Sequence, residues 1–168
     1  LADGAHWADT PAEVMDRADI VVTMVFGPRQ IEQVVRGEHG LLSGDCHGKG
    51  WIDLTTSSPT LMRELGAAFE QAGGSPVDAP VTGAVDAARR GEMIMFVGGT
   101  DAAVAAALPV LEAMGEIRRV GPHGNGYVAK LVNNQLWFIQ AAAIGESMVA
   151  AKKAGLEPAV WWAAMAPS

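Results

Sequence analysis

The run Gly121-Pro122-His123-Gly124-Asn125-Gly126-Tyr127-Val128-Ala129-Lys130-Leu131-Val132-Asn133-Asn134 sets a lysine and an asparagine four residues apart behind a pair of glycines. At i and i+4 of a helix, Lys130 and Asn134 share one face. A lysine in so apolar a helix loses basicity by desolvation, which is what a group that gives and takes a proton needs. A lone lysine of this kind more commonly lays its stem along apolar surface and carries its charge out to water. The glycines and Asn134 around it favour the proton-transfer reading. Gly124-x-Gly126-x-x-Ala129 also imitates a dinucleotide fingerprint, since it follows a strand and opens a helix. That reading fails, because a dinucleotide unit needs its helix to end and a second strand to bring an acid about 20 residues on. Here the helix runs through that window.

A second stretch, Asp78-Ala79-Pro80-Val81-Thr82-Gly83-Ala84, leaves a strand, turns at a glycine and enters a short helix. A hydroxyl beside a glycine at a helix start is a seat for a carboxylate, because free N–H groups point outward and the dipole favours negative charge. An ordinary strand-to-helix turn has the same pattern, and this stretch alone does not choose between them. A third, Asp53-Leu54-Thr55-Thr56-Ser57-Ser58-Pro59, sits at the carboxyl end of a predicted strand, where open α/β sheets bind ligands. Met24-Val25-Phe26-Gly27-Pro28 ends another strand in the same way. Cys46 and His47, with His39, lie in a glycine-rich loop and supply no tetrahedral ligand set, so no metal is expected. His6 and His123 read as surface residues. Met93 and Met95 alternate at strand spacing, as packing residues do.

The elements that must position these groups alternate short apolar runs with helical segments. Thr10-Pro11-Ala12-Glu13 is a capping box with proline at the first helical position. Asp19–Val25 is β-branched and almost wholly apolar, as expected of a strand buried on both faces. Pro28–Arg36 reads as a helix, 37–50 as a glycine-rich loop, 51–54 as a strand, and Ser58-Pro59 opens a helix to about Ala72. Strands follow at 76–78, 93–97 and 117–120, with a helix capped by Asp101 and running to Met114. This alternation predicts an α/β fold, a partial doubly wound, Rossmann-like sheet that is mostly parallel. From about Gly126 to Lys153 there is no proline and one interior glycine, Gly145, which predicts a single helix of roughly 40 Å. Its apolar residues, from Tyr127 to Val149, lie nearly all around it, so it is expected to be covered on every side as an inter-domain helix. Another helix starts at Glu157-Pro158, the beginning of an all-α domain. The expected domains are 1–122 and 123–168.

Composition narrows the function classes. Of 168 residues 49% are hydrophobic and 18% charged, enough to bury a core. A net charge of −7 argues against a general grip on nucleic acid or an anionic membrane, though not against a local anion pocket. No span is long and apolar enough to cross a bilayer, no leader opens the chain, and one cysteine cannot form an internal disulfide. A cytoplasmic protein is the expectation. Both ends read as cut: Leu1 opens without methionine, and the chain stops just after a Trp161-Trp162 pair that a folded domain would cover.

In this order the three stretches resemble the β-hydroxyacid dehydrogenase family over essentially the whole chain. Asp78–Gly83 resembles the family's substrate-binding Asp-Ala-Pro-Val-Ser-Gly-Gly motif, with Thr82 for the serine and Ala84 for the second glycine. The run from Gly124 to Asn134 resembles its catalytic motif. The resemblance implies a Rossmann-like NAD- or NADP-dependent oxidoreductase acting on a small 3-hydroxy acid carboxylate, of the 3-hydroxyisobutyrate dehydrogenase type. It implies Lys130 as catalytic acid/base, Asn134 as its orienting partner, and Thr82, Gly83 and Ala84 at the substrate. It places Val25, Phe26, Gln30 and Thr56 at the cofactor, Phe26 standing where relatives commonly carry proline. The apolar surface all around the long helix implies a homodimer or homotetramer. The resemblance implies a first βαβ unit with the pyrophosphate loop, which does not precede Leu1, so that the 168 residues alone are expected to be inactive. The rivals are an imine or carbonyl reductase on the same scaffold, whose relatives usually replace the lysine, and a non-catalytic binding or dimerisation remnant.

Overall fold

The computed structural model describes residues 4–165. In chain order it contains α1 (Pro11–Arg17), β1 (Ile20–Thr23), α2 (Pro28–Arg36), a 3-10 turn (Leu41–Ser43), β2 (Gly50–Asp53), α3 (Pro59–Gln71), β3 (Ser75–Asp78) and β4 (Val81–Thr82). It continues with α4 (Ala84–Arg90), β5 (Met93–Gly98), α5 (Asp101–Met114), β6 (Gly115–Gly121), α6 (Asn125–Lys153) and α7 (Pro158–Met165). The chain divides into two compact units, Leu1–Lys130 and Leu131–Ser168.

The first unit is built on one six-stranded sheet. β1, β2 and β3 are parallel, with Thr23, Asp53 and Asp78 in one row at their carboxyl ends. β5 runs antiparallel to both β3 and β4, and β6 parallel to β5. The mostly parallel sheet thus has one reversal that the sequence reading lacks. Its cause is length: between Thr82 and Met93 there is room only for α4, a helix of 7 residues, and a parallel crossover needs a dozen or more residues in all. β3 and β4 are two parts of one line interrupted at Ala79-Pro80. The Pro80 carbonyl still accepts the Phe96 N–H (3.1 Å), so the line stays attached to β5.

Helix starts follow side-chain capping. Thr10 Oγ1 accepts the Glu13 N–H (3.2 Å), while the Glu13 carboxylate accepts the Asp9 N–H (2.7 Å), one residue earlier than a capping box directs it. α5 is capped by Thr100, whose hydroxyl accepts the Ala103 N–H (3.1 Å), and not by Asp101. Asp101 is instead the first helical residue and pairs with Arg119 at 2.9 Å. The first strand also ends earlier than its apolar run, at Thr23, because the chain leaves the sheet there for the loop to α2.

Alternation along the strands fills two apolar layers. On one face Val21 and Trp51 pack with Met15, Ile31, Leu65 and Phe69, with the Trp51 and Phe69 rings 5.5 Å apart. On the other, Ile52 and Val77 pack with Met95, Val97, Val104 and Leu111. β2 is therefore buried on both sides, as its continuous apolar run requires.

In the second unit, α6 ends at Lys153. The next turn closes with Gly155 at φ +87° and the Leu156 N–H on the Ala151 carbonyl (2.9 Å), a glycine helix stop. Its apolar side chains stand open, Trp137 at 62% and Phe138 at 63% exposure, as does Trp162 on α7. Among the described residues no helix is long and apolar enough to cross a membrane.

Candidate active site

The carboxyl ends of β1 and β2 are tied together by a buried hydrogen-bond chain. The Trp51 indole donates to Thr23 Oγ1 (2.9 Å), and the hydroxyls of Thr23 and Thr55 both donate to Asp53 Oδ1 (2.6 and 2.7 Å). The Val25 N–H in turn donates to Thr55 Oγ1 (3.1 Å). Asp53 is wholly buried, and among the described residues its Oδ2 has no partner. Burial pushes its carboxyl up to about 6 against the lowering effect of the threonine hydroxyls, with Asp78 one strand away adding to the rise.

Asp78, the next residue in that row, is also wholly buried. Its Oδ1 accepts the Gly124 N–H (2.8 Å) and its Oδ2 the Tyr127 N–H (3.3 Å), two of the donors a helix start leaves without an internal partner. Burial raises its carboxyl above the usual range, and the Gly124 N–H, His123 and the Gly126 N–H oppose the rise. The glycines before and in the first turn of α6 thus serve protein contacts. A Cβ on Gly126 would lie 2.3 Å from the Phe96 carbonyl oxygen and 2.6 Å from Asp78 Oδ2. The Gly124 N–H is spent on Asp78 and is not open to a phosphate, in line with rejecting the fingerprint reading.

Lys130 follows on the same helix and is buried, with 9% of its surface exposed. Among the described residues its ammonium has no hydrogen bond and no ion pair, and burial alone lowers its basicity. Asn134 lies further along α6, in the second unit, and is half-buried.

The Thr82–Ala84 turn leaves β4. Thr82 is half-buried beside Ile94, and Gly83 and Ala84 are exposed. Gly83 has φ +122° and Ala84 φ +56°, the latter being the one described non-glycine residue with positive φ. An alanine there stands in a conformation that favours glycine. α4 is only 7 residues long, so this seat rests on the N–H groups of the turn more than on a helix dipole.

The remaining predicted site residues lie at the carboxyl ends of β1 and β2. Val25 is half-buried, Phe26 is wholly exposed, Gln30 is exposed in the first turn of α2, and Thr56 is exposed with no side-chain hydrogen bond among the described residues. The Val25–Thr55 bond joins the two loops, so the structure brings Val25, Phe26 and Thr56 to one edge. Sequence reasoning did not assign Asp53 or Asp78 these structural duties and placed His123 on the surface. His123 is instead packed against Gly66, with Nε2 buried and without a partner among the described residues, and burial lowers its pKa. The signal for the acids was present: a carboxylate ending a strand buried on both faces must find donors. Cys46 is buried, with its thiol on the Leu41 carbonyl (3.3 Å), and no three of His, Cys, Asp or Glu among the described residues could share a metal.

The family profile described as the NAD binding domain of 6-phosphogluconate dehydrogenase matches residues 1–128. A second, NAD-binding of NADP-dependent 3-hydroxyisobutyrate dehydrogenase, matches residues 124–168. This chain belongs to the β-hydroxyacid dehydrogenase family. It is 37% identical over 161 residues to 3-hydroxyisobutyrate dehydrogenase of Pseudomonas aeruginosa, covering 95% of this chain and 54% of that protein. It is 32% identical over 159 residues to 2-hydroxy-3-oxopropionate reductase of Escherichia coli, covering 94% and 54%. The solved structure of Mycobacterium tuberculosis 3-hydroxyisobutyrate dehydrogenase with L-serine superposes with a TM-score of 0.87 at 31% identity, covering 96% of this chain and 55% of that one. The chain spans about half the length of the curated relatives it matches. As a member of the β-hydroxyacid dehydrogenase family, it has a nicotinamide dinucleotide, NAD or NADP, as its cofactor.

Proposed function

We propose that the full-length protein is an NAD(P)-dependent dehydrogenase that interconverts a small 3-hydroxy acid, of the 3-hydroxyisobutyrate type, with its carbonyl product, using Lys130 as general acid/base. The observation that carries this reading is Lys130 itself, buried and without a hydrogen-bond or ion-pair partner among the described residues, in a helix-opening run that resembles the family's catalytic motif. The bound dinucleotide, held by Val25, Phe26, Gln30 and Thr56, supplies the hydride chemistry. In oxidation the neutral amine of Lys130 takes the hydroxyl proton, and in reduction its ammonium returns it. Burial lowers its basicity, so the neutral amine is easier to reach than in an exposed lysine. Thr82, Gly83 and Ala84 hold the substrate carboxylate, and Asn134 orients the hydroxyl or the lysine. Residues 1–122 serve the cofactor, and 123–168 form the long helix and the start of an all-α domain. The working protein is a cytoplasmic homodimer or homotetramer. In the full-length protein Lys130→Ala should lower kcat about 10²–10⁴-fold with cofactor affinity little changed. Near-normal kcat in that variant would remove Lys130 from the reaction.

A further inference from the structure

Asp78 is the first residue of one motif and holds the start of the other. Its carboxylate is wholly buried and has no lysine or arginine partner among the described residues. What balances it is the start of α6: Gly124 N–H on one oxygen, Tyr127 N–H on the other, and the positive end of a 29-residue helix. The surroundings fix the carboxylate in place. A Cβ on Gly98 would come within 2.5 Å of Oδ1, and one on Gly126 within 2.6 Å of Oδ2, so both backbones press directly on it. Lys130 lies three residues beyond Tyr127, one turn along the same rigid helix. Thr82 lies four residues beyond Asp78, on the line held to β5 by the Pro80–Phe96 bond. A shift in how Asp78 grips α6 therefore moves the lysine relative to the Thr82–Ala84 turn.

We propose that Asp78 is a positioning residue, whose carboxylate fastens the first turn of α6 to the end of β3 and so sets Lys130 against the substrate-holding turn. The proposal rests on the acid/base reading of Lys130. Asparagine keeps the shape but turns an N–H toward an N–H donor and loses the charge that the helix end favours. The chain has four lysines, Lys49, Lys130, Lys152 and Lys153, so each can be followed by mass spectrometry after trace acetylation of the full-length protein. Lys49 is the control. It is half-buried elsewhere in the first unit, with its ammonium on the carbonyls of Met15 and Asp16.

In Asp78→Asn the labelling of Lys130 should rise about ten-fold through local opening of the helix start, while Lys49 stays unchanged. With 3-hydroxyisobutyrate as probe, kcat should fall about 10–100-fold at unchanged cofactor KM, as misplacement of a reacting group does. Lys130 and Lys49 rising together would make Asp78 a residue of the fold, and no change at Lys130 would free the helix from it; either overturns the proposal. Asp78→Ser, which keeps an acceptor for one N–H, is labelled in parallel, and failure of both variants to fold also overturns it. Near-normal kcat in Lys130→Ala would instead remove the acid/base reading, a result separable from the labelling.

Discussion

At the scale of single residues, Asp53 has the clearest energetic consequence. Folding takes its carboxyl out of water, gives two hydroxyls to one oxygen and leaves the other bare. Its pKa therefore rises to about 6 when folded, from roughly 3.9 in an unfolded chain. Between those values the folded protein holds a proton that the unfolded chain has released. The stability it contributes is whole below about pH 4 and is lost as pH rises through 6, a change of about 3 kcal/mol. Urea midpoints measured from pH 4 to 7 should fall for the wild type relative to Asp53→Asn, which cannot ionise. Parallel curves would show that Asp53 is not the source. Of the residues proposed to do chemistry, Lys130 and the Thr82–Ala84 turn were legible because their types and spacing form motifs. For Asp53 and Asp78 the need for donors was legible from a carboxylate ending a buried strand. Most of the donors were not, because they come from Thr23 on the neighbouring strand and from Gly124, 46 residues from Asp78. The packing of His123 against Gly66 was not legible for the same reason.

At the scale of elements, helices and strands were largely legible. Capping hydroxyls, prolines at first positions and β-branched runs act within a few residues of themselves. What pattern did not give was the return of β5 antiparallel to β3, or the two-residue β4 beyond Pro80, since both follow from pairing across the chain. The turn between β4 and α4 carries a further consequence. Ala84 at φ +56° bears strain worth about 1–2 kcal/mol. Glycine would relieve it but lose roughly 0.4–1 kcal/mol through greater freedom of the unfolded chain. Ala84→Gly should therefore stabilise the protein by up to about 1.6 kcal/mol, raising Tm by up to about 6 °C in calorimetry. A lowered Tm would mean that contacts of the alanine methyl outweigh the strain.

At the scale of the whole molecule, the division between covered and open apolar surface is uneven. The first unit encloses Trp51, Tyr127 and Phe69 completely, whereas α6 beyond Lys130 and α7 leave Leu136, Trp137, Phe138, Ile139 and Trp162 open to solvent. Each large apolar side chain left in water forgoes about 1.5–3 kcal/mol, a heavy loss against the net stability of a domain. In the full-length protein these side chains should be covered, in part by a second subunit, and sedimentation at micromolar concentration should give a dimer or tetramer. A well-behaved monomer would refute the shared interface. The same unevenness gives the protein two optical populations. An indole in water emits further to the red than one enclosed by apolar side chains, because solvent dipoles relax around its excited state. Trp51 should emit to the blue and hold that colour until the first unit unfolds. Trp137 and Trp162 should emit to the red while α6 and α7 stay open and shift blue once they are covered, over a constant red background from exposed Trp7, so that assembly moves the red band while unfolding of the first unit moves the blue one.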